Sequence, residues 1–284
     1  MPELPEVETI KRFLEKAIVK RKITGVEVLN RKQLLGNSKD IIGAKIKDLD
    51  RRAKYLIINL DNNKSLLIHL KLTGQLVWTV KTTGKAVFDK QIPFTGGTKL
   101  PGKTTRIIIH FDKGTLFFND MRKLGWIKIV QSPGLNKSFE KLGPEPFGKD
   151  FSVEYLKKAF EKTSRPIKII LLDQEKIAGI GNIYANEALF MAKINPGRPA
   201  KILMPNEVKK LRQAILNVLK QGLKYGGSSA ADEAYIKPDA SRGNYQQHFL
   251  VYQKQGQKCL KCGKIIKRIT LGGRGTFFCP ACQR

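Results

Sequence analysis

The first six residues of the chain place a proline and two acids where they could do chemistry. Pro2 becomes a secondary amine at the chain end if Met1 is removed, and Glu3 and Glu6 follow closely. A free N-terminal amine can attack an aldehyde-like carbon to form a Schiff base, and with a pKa near ~8 part of it is neutral at pH 7. The proline adduct is an iminium, whose fixed positive charge favours elimination. A nearby acid could protonate a substrate oxygen, and a second acid could orient it.

The same residues also fit a structural interpretation. Proline in the first turn and glutamate near the amine end are common helix-start signals. Apolar residues follow at helical spacing, which predicts an amphipathic helix over residues 3–20. Glu3 and Glu6 would share one face of that helix at its amine end. The motif alone therefore leaves both interpretations open.

A second cluster of reactive side chains lies at the other end of the chain. All four cysteines form two Cys-x2-Cys pairs separated by sixteen residues: Cys259, Cys262, Cys279 and Cys282. This spacing is typical of a closed four-thiolate zinc site. Two disulfides are disfavoured because no secretory leader is present, and a redox dithiol is disfavoured by the paired spacing. We expect one structural zinc ion, without an open position for catalysis.

The residues between the cysteine pairs predict a β-hairpin with a glycine-rich turn. Its strands are expected at 264–270 and 276–278. A tail of this size cannot build its own core, so metal binding would supply its folding energy. Arg274 at the hairpin tip could meet a phosphate, or it could be an ordinary solvated turn arginine.

The charge of the chain indicates a polyanionic partner. It has 53 Lys+Arg against 24 Asp+Glu, a net charge of +29, and no acidic residue from Ala240 to Arg284. Such a field attracts nucleic acid, with binding that weakens steeply in salt, although anionic membranes and ribosomal RNA also attract basic proteins. There is no apolar run of about 18 residues and no leader peptide. We therefore expect a soluble, cytoplasmic protein with no membrane partner.

The pattern along the chain predicts an α+β multidomain fold. Seven short apolar runs without helical crossovers predict an antiparallel sandwich or barrel: 23–29, 54–60, 65–70, 75–80, 106–111, 115–118 and 126–130. Residues 82–104, rich in glycine and lysine, are predicted to be a long basic loop. Helices are predicted farther on, at 152–161, 165–174, 183–192 and 207–225. The expected division is an N-terminal β-sandwich (1–133), a linker (134–150), a helical domain (151–253) and a zinc hairpin (254–284); the resemblance described below implies that the first is catalytic and that the helical domain binds DNA.

One turn between predicted helices could bind a phosphate. The glycines of Gly179-Ile180-Gly181-Asn182 would let backbone amides face outward at a helix N-terminus. Asn182 could add a side-chain donor. A plain helix–helix connection remains the alternative.

Together these motifs resemble bacterial formamidopyrimidine-DNA glycosylases. The resemblance is carried in order by Pro2–Glu8, Arg52–Tyr55, His69-Leu70, Leu172–Gln174, Gly179–Glu187 and the four-cysteine tail. It implies an N-terminal β-sandwich with flanking helices, a helix–two-turn–helix module and a zinc hairpin. It also implies a monomeric, nucleoid-associated repair enzyme that acts on duplex DNA containing oxidised bases or abasic sites. The damaged nucleotide is then flipped out of the duplex.

The resemblance also implies residue roles. Pro2 would attack the sugar C1′ and release the base, Glu3 would protonate the ring oxygen, and Glu6 would support that geometry before β,δ-elimination cuts the strand. Lys54 and Arg274 join the catalytic group. The implied DNA-binding residues are His69, Leu72, Arg122, Leu124, Lys168 and Asn182.

The expected wedge, which fills the gap left by the extruded base, departs from the family pattern. The family's methionine and phenylalanine are replaced by Leu72 and Leu124, and the arginine is kept as Arg122. An aliphatic wedge loses stacking of about 1 kcal/mol or more, which puts opposite-base preference in question. Residues 228–244 match the region that closes over the base. Two other functions are considered: an oxidised-pyrimidine glycosylase of the endonuclease VIII type, and a non-catalytic damaged-DNA-binding protein.

Overall fold

A computed structural model describes residues 1–229 and 235–284 of the chain. The chain forms two compact units, one of residues 1–140 with 223–246 and the other of residues 141–222 with 247–284. The four predicted domains stay a prediction, and residues 223–246, which they assign to the helical domain, belong to the first unit. Part of the predicted base-closing segment, residues 230–234, lies outside the described residues.

The first unit begins with the predicted amphipathic helix, α1 (Leu4–Ile18). Its apolar stripe, Leu4, Val7, Ile10, Leu14 and Ile18, is buried in the unit's core. Pro5 lies in the first turn, where a proline removes no helical hydrogen bond. The helix is therefore fixed along its length by burial, and its amine end is held in place against the sandwich.

Two packed sheets form the sandwich of the first unit, and strands β7 and β8 form a separate pair. The strands of this unit are β1 (Ile23–Val28), β2 (Leu34–Leu35), β3 (Ile46–Arg52), β4 (Tyr55–Leu60), β5 (Lys64–His69), β6 (Gly74–Thr79), β7 (Ala86–Ile92), β8 (Gly97–Leu100), β9 (Thr105–Phe111), β10 (Gly114–Asp120) and β11 (Trp126–Gln131). The sheets run in the orders β1-β9-β10-β6 and β2-β11-β5-β4-β3. Pairing is antiparallel, as predicted, except for the two-residue parallel contact of β2 with β11. Side chains such as Ile58, Ile68, Ile107 and Leu116 fill the core between them.

The prediction of a long loop over residues 82–104 is wrong. Strands β7 and β8 pair there as an antiparallel hairpin. Its apolar residues Ala86, Ile92 and Leu100 are buried in a second cluster with Val77 and Phe117 of the sheet. Burial of this face orders the hairpin despite its lysines, because removing apolar surface from water is favourable wherever the polar groups can stay outside.

The second unit is helical and ends in the zinc hairpin. Its helices are α2 (Val153–Glu161), α3 (Ile167–Leu172), α4 (Asn182–Met191) and α5 (Pro205–Lys224), followed by strands β12 (Lys267–Leu271) and β13 (Arg274–Phe278). Helix α4 is buried on all sides over residues 183–190, as expected for the central helix of a bundle. Within residues 1–229 and 235–284, no helix combines the length and apolarity that crossing a bilayer requires.

Candidate active site and nucleic-acid interface

The amine end of α1 is built around two buried acids. Pro2 is buried, and Glu3, 2% exposed, caps the helix in an extended conformation. The Glu3 backbone N–H donates to Oε2 of Glu6 at 2.8 Å. A glutamate three residues after the cap thus satisfies a backbone donor that the helix leaves free. The i, i+3 spacing predicted from sequence brings Pro2, Glu3 and Glu6 together at one point.

Glu6 is fixed from a second direction by a segment far along the chain. Its side chain is fully buried, and Oε1 accepts the backbone N–H of Ser228 at 2.9 Å. Gly227 lies against it in a left-handed conformation with φ +80°. A Cβ added at Gly227 would lie 2.9 Å from Glu6 Cγ. Only glycine therefore allows this close approach.

Tyr235 closes the other side of the Glu6 pocket. Its hydroxyl donates to the Gly226 carbonyl at 3.0 Å, and the Ser229 hydroxyl donates to the Tyr235 carbonyl at 2.7 Å. Burial, followed by the charge of Glu6, raises the pKa of Tyr235 well above its usual range. The phenol is therefore neutral and adds no negative charge beside Glu6.

Lys54, in the turn between β3 and β4, and His69, the last residue of β5, form a polar pair in the first unit. Lys54 is 5% exposed and His69 is 7% exposed. His69 Nδ1 accepts the Lys71 backbone N–H at 3.0 Å. Desolvation, then the charges of Lys71 and Lys54, lowers the pKa of His69 to about 3. The ring is thus neutral at pH 7, with its proton on Nε2 available as a donor.

The turn that carries Lys54 is tied to the start of α1 by an ion pair. Arg51 Nε donates to Glu8 Oε2 at 2.9 Å, and Arg51 also donates to the Ala53 carbonyl at 3.1 Å. Burial pushes the pKa of Glu8 upward, but hydrogen bonds from Arg51 and Arg12 outweigh it and hold that pKa below its usual range. The ionised pair therefore links the lysine turn to the helix that carries the acids.

The three predicted wedge residues lie on two neighbouring loops of the first unit. Leu72 is half-buried, whereas Arg122 and Leu124 are exposed, Leu124 by 48%. The Arg122 backbone N–H donates to the Thr73 hydroxyl at 3.0 Å. The structure thus brings the wedge positions together, although they are some fifty residues apart in sequence.

In the second unit, the four cysteines gather at one point. Their sulfurs all lie within 4.8 Å of one another, with Cys259–Cys282 at 3.9 Å and Cys262–Cys279 at 3.4 Å. Tetrahedral zinc with Zn–S bonds of ~2.3 Å requires sulfurs ~3.8 Å apart. The donor set and its spacing therefore fit one zinc ion bound by four thiolates.

Helices α3 and α4 hold the turn of the β12–β13 hairpin. Lys168 is fully buried, and its Nζ donates to the Gly275 carbonyl at 2.8 Å and to the Thr276 hydroxyl at 2.7 Å. Asn182 Nδ2 donates to the same Gly275 carbonyl at 3.1 Å. Arg274 itself is exposed. The DNA-binding role expected of Lys168 stays a prediction, and its ammonium group lies under the turn.

Several residues of these sites were not predicted. Gly227 and Tyr235 contact Glu6 from a distant part of the sequence, so no local spacing could reveal them. Glu187 is fully buried and accepts the backbone N–H groups of residues 250–252 at 2.7–3.0 Å. Desolvation raises its pKa. A glutamate among the apolar residues of α4 was the available signal, because a buried acid needs such donors.

The arrangement defines a class of protein. A potential terminal amine beside two buried acids supplies the catalytic groups of an enzyme that forms a Schiff base. Its combination with a strongly basic chain and a four-thiolate hairpin that presents Arg274 is that of a zinc-binding enzyme with a polyanionic substrate such as nucleic acid.

Comparisons with known proteins identify the group within that class. Residues 1–127 match the formamidopyrimidine-DNA glycosylase N-terminal domain, residues 142–234 match the H2TH domain of the same enzyme, and residues 256–284 match the zinc finger found in FPG and IleRS. The chain belongs to the formamidopyrimidine-DNA glycosylase family. The resemblance inferred from sequence, the α+β fold and the single structural zinc are thereby confirmed.

Relatives cover the whole chain. A formamidopyrimidine-DNA glycosylase of Pelotomaculum thermopropionicum is 40% identical over 100% of this chain and 99% of its own length. That of Streptococcus pneumoniae is 37% identical over the same shares. A Lactococcus lactis FPG mutant solved with Fapy-dG-containing DNA superposes with a TM-score of 0.88 at 34% identity over 100% of both chains. A second Lactococcus lactis structure, with abasic-site DNA, has a TM-score of 0.87 at 34% identity over 99% of both chains.

Proposed function

We propose that this chain is a bifunctional DNA glycosylase and abasic-site lyase that excises oxidised purines, including 8-oxoguanine and formamidopyrimidines, from duplex DNA. The observation that carries the proposal is the buried pair Glu3 and Glu6 directly behind Pro2. Burying two carboxylates is costly unless a function or a hydrogen-bond network requires them. Binding DNA would require neither acid.

The chemistry follows from the terminal amine. Removal of Met1 frees the Pro2 nitrogen, which attacks C1′ of the damaged nucleotide while the base leaves with the bonding electrons. The departing base takes up the N–H proton that Pro2 loses. Glu3 gives its proton to the ring oxygen, the ring opens, and an iminium links Pro2 to C1′. That iminium accepts the electron pair when a C2′ proton is removed, so the 3′-phosphate leaves, and δ-elimination releases the 5′-phosphate. Glu6, fixed by two backbone N–H groups, keeps Glu3 and Pro2 in place throughout.

DNA binding is assigned to cations and donors of both units. Lys54 and neutral His69 would bind phosphates in the first unit, and Asn182 and Arg274 in the second. Lys168 acts on Arg274 indirectly, through its hydrogen bonds to the hairpin turn. Phosphate contacts of this kind set register and orientation without specifying sequence. With a net charge of +29, affinity should fall steeply as salt rises.

Opening of the duplex is assigned to the wedge. Leu72, Arg122 and Leu124 would enter the space left by the flipped nucleotide, as apolar side chains do in other proteins that unstack DNA. We further propose that the enzyme works as a cytoplasmic monomer on the bacterial nucleoid, with duplex DNA rather than a membrane as its partner.

One solved structure supports oxidised pyrimidines as an alternative substrate. A Lactococcus lactis Fpg structure with a TM-score of 0.86 contains DNA with an oxidised pyrimidine. Oxidised pyrimidines are therefore the second candidate substrate, and the experiment below includes them.

The test is borohydride trapping, which reduces the iminium to a stable amine. We expect a covalent adduct with a duplex carrying 8-oxoguanine opposite cytosine, and none from Glu3→Gln or from Pro2→Glu, whose bulky second residue retains Met1. Glu15→Gln is the matched control, because Glu15 lies on the same helix with a 42% exposed side chain. A wild-type protein that forms no adduct with oxidised-purine, oxidised-pyrimidine or abasic duplexes is not this enzyme. Detection of Met1 on the active protein by mass spectrometry would equally rule out the mechanism.

A further inference from the structure

The two wedge loops cross between the sheets side by side. Residues 70–73 join β5 to β6, and residues 121–125 join β10 to β11. Asp120, the last residue of β10, lies opposite Gly74, and Trp126, the first of β11, lies opposite His69. Both loops therefore begin and end on paired strands, at the same end of the sandwich.

A single carboxylate lies beneath both loops. Asp120 is fully buried. Its Oδ1 accepts the Thr73 hydroxyl and the Arg122 backbone N–H, the latter at 3.2 Å. Its Oδ2 accepts the Gly125 backbone N–H at 2.7 Å and the Gln33 side-chain amide at 3.0 Å. One side chain thus bonds to the residue after Leu72 and to both ends of the segment that carries Arg122 and Leu124.

The loops are also tight in their backbones. The Gly74 N–H donates to the Leu70 carbonyl at 2.9 Å, and a Cβ at Gly74 would lie 2.4 Å from that oxygen. Lys71 and Lys123 hold left-handed conformations with φ of +51° and +57°. Short loops with such conformations have few alternatives once their hydrogen bonds are in place.

The side chains above this network are unusual for a protein surface. Met121 and Leu124 are 43% and 48% exposed, next to exposed Arg122. Hydrogen bonds to a buried carboxylate are strong, and leaving such a group without donors is costly. The network therefore keeps apolar side chains exposed on loops that cannot easily rearrange to bury them.

We propose that Asp120 is a positioning residue for opening the duplex, holding the two wedge loops in one fixed arrangement before DNA arrives. The inference rests on the proposed function, since it assigns Asp120 to the base-flipping step of that reaction. A wedge that is already ordered loses less conformational entropy when it enters the base stack. Asp120 touches neither the sugar nor Pro2 in this role, so elimination at a sugar that is already accessible should not depend on it.

Two substrates distinguish an effect on flipping the damaged nucleotide from an effect on Schiff-base formation and elimination. Excision of 8-oxoguanine from a duplex requires the wedge, whereas cleavage of an abasic site in a single strand requires only Schiff-base formation and elimination. We expect two variants to lower single-turnover duplex excision about 10- to 100-fold. Asp120→Asn places an amide NH2 against backbone donors, and Thr73→Val removes the hydroxyl that bonds to Asp120 and to the Arg122 N–H. Single-stranded abasic cleavage should stay within about twofold of wild type.

The matched control is Thr105→Val. Thr105 is also a buried threonine of the first unit, 3% exposed, but its hydroxyl donates to Asn119 Oδ1 at 2.8 Å instead of to a wedge loop. It should not change the ratio of the two rates. Fluorescence of 2-aminopurine beside the lesion should show slower unstacking in Asp120→Asn and Thr73→Val only.

The outcomes are distinguishable. Equal losses on both substrates in Asp120→Asn and Thr73→Val would mean a structural role alone, and unchanged duplex excision would mean no role. Either result overturns the inference. A wild-type protein inactive on both substrates would instead overturn the proposed function. Thermal unfolding of each variant shows whether a loss comes from misfolding, and Thr73→Val decides the matter if Asp120→Asn does not fold.

Discussion

Two adjacent glycines, Gly226 and Gly227, allow the contact between their segment and Glu6 to be tested separately from backbone strain. Gly226 and Gly227 both have left-handed φ values, +69° and +80°. A Cβ at Gly226 would meet Lys237 Cδ at an ordinary 3.7 Å. A Cβ at Gly227 would lie 2.9 Å from Glu6 Cγ, 3.0 Å from Glu6 Oε1 and 2.9 Å from Tyr235 Cε1. Gly226→Ala is therefore the matched control for Gly227→Ala.

The two variants should differ in stability by the cost of the clash. Each alanine adopts a left-handed conformation at a cost of about 1–2 kcal/mol. At Gly227 the added methyl group also overpacks Glu6 and Tyr235, which are 0% and 2% exposed and have no space to move into, at about 1–3 kcal/mol. At about 2–4 °C per kcal/mol for a unit of this size, Gly227→Ala should melt several degrees below Gly226→Ala.

The functional difference should be larger than the difference in stability. Displacing Glu6 breaks its bonds to the Ser228 and Glu3 N–H groups, each charge-assisted, so we expect borohydride trapping to slow about 10- to 100-fold in Gly227→Ala. Gly226→Ala should trap at nearly the wild-type rate at a temperature where both variants are folded. Equal trapping rates in the two folded variants would refute the idea that this segment sets the position of Glu6.

Two further predictions concern the metal and the buried histidine. Chelating the zinc should unfold residues 254–284 and abolish DNA binding while the sandwich still melts cooperatively, as followed by circular dichroism and a binding titration; affinity retained without metal would contradict this. His69, with its pKa lowered to about 3, should show ring NMR signals that do not titrate between pH 5 and 8. Because the unfolded chain takes up that proton near its ordinary pKa of ~6.5, the stability contributed by His69 should be lost as pH falls from ~6.5 toward ~3. His69→Gln should therefore reduce the slope of unfolding free energy against pH in that window by up to ~1.4 kcal/mol per unit.

The sequence predicted those elements whose periodicity is regular. Helices α1, α2 and α5 have an apolar stripe at helical spacing, and the seven predicted strands of the sandwich are short runs rich in apolar residues. Strand β3 was missed because its sequence is mostly charged and its two buried apolar residues, Ile46 and Leu49, are three positions apart, so it shows neither an apolar run nor a two-residue alternation. The β7–β8 hairpin has an irregular register between Val87 and Ile92. The few apolar residues of the hairpin pack against the neighbouring sheet, as Ala86, Ile92 and Leu100 do. Tertiary packing therefore orders this hairpin, and the local sequence pattern alone could not predict it.

The candidate site likewise has a part that the sequence predicts and a part that it does not. Glu3 and Glu6 are close in sequence, and so are the cysteines of each pair, so both motifs could be recognised from the sequence. The groups that hold these residues are backbone amides and carbonyls from distant segments, such as the Ser228 N–H, which is 222 residues from Glu6. A backbone group has no sequence signature. Asp120 was overlooked for a related reason: its importance comes from the two loops that converge on it, and that convergence exists only in the folded sandwich.

Lys168 is a cation that the second unit holds in its interior rather than at its surface. A fully buried ammonium group is tolerated only when its protons are donated, and here they bond to the Gly275 carbonyl and the Thr276 hydroxyl. Asn186, on α4, accepts the Phe277 N–H at 2.8 Å, so the helices fix the strand just after Arg274. Zinc closes the base of the hairpin and Lys168 fixes its tip. The backbone of the hairpin is therefore anchored at both ends. Because the Arg274 side chain is exposed and has four rotatable bonds, this anchored backbone is what fixes where the arginine is presented.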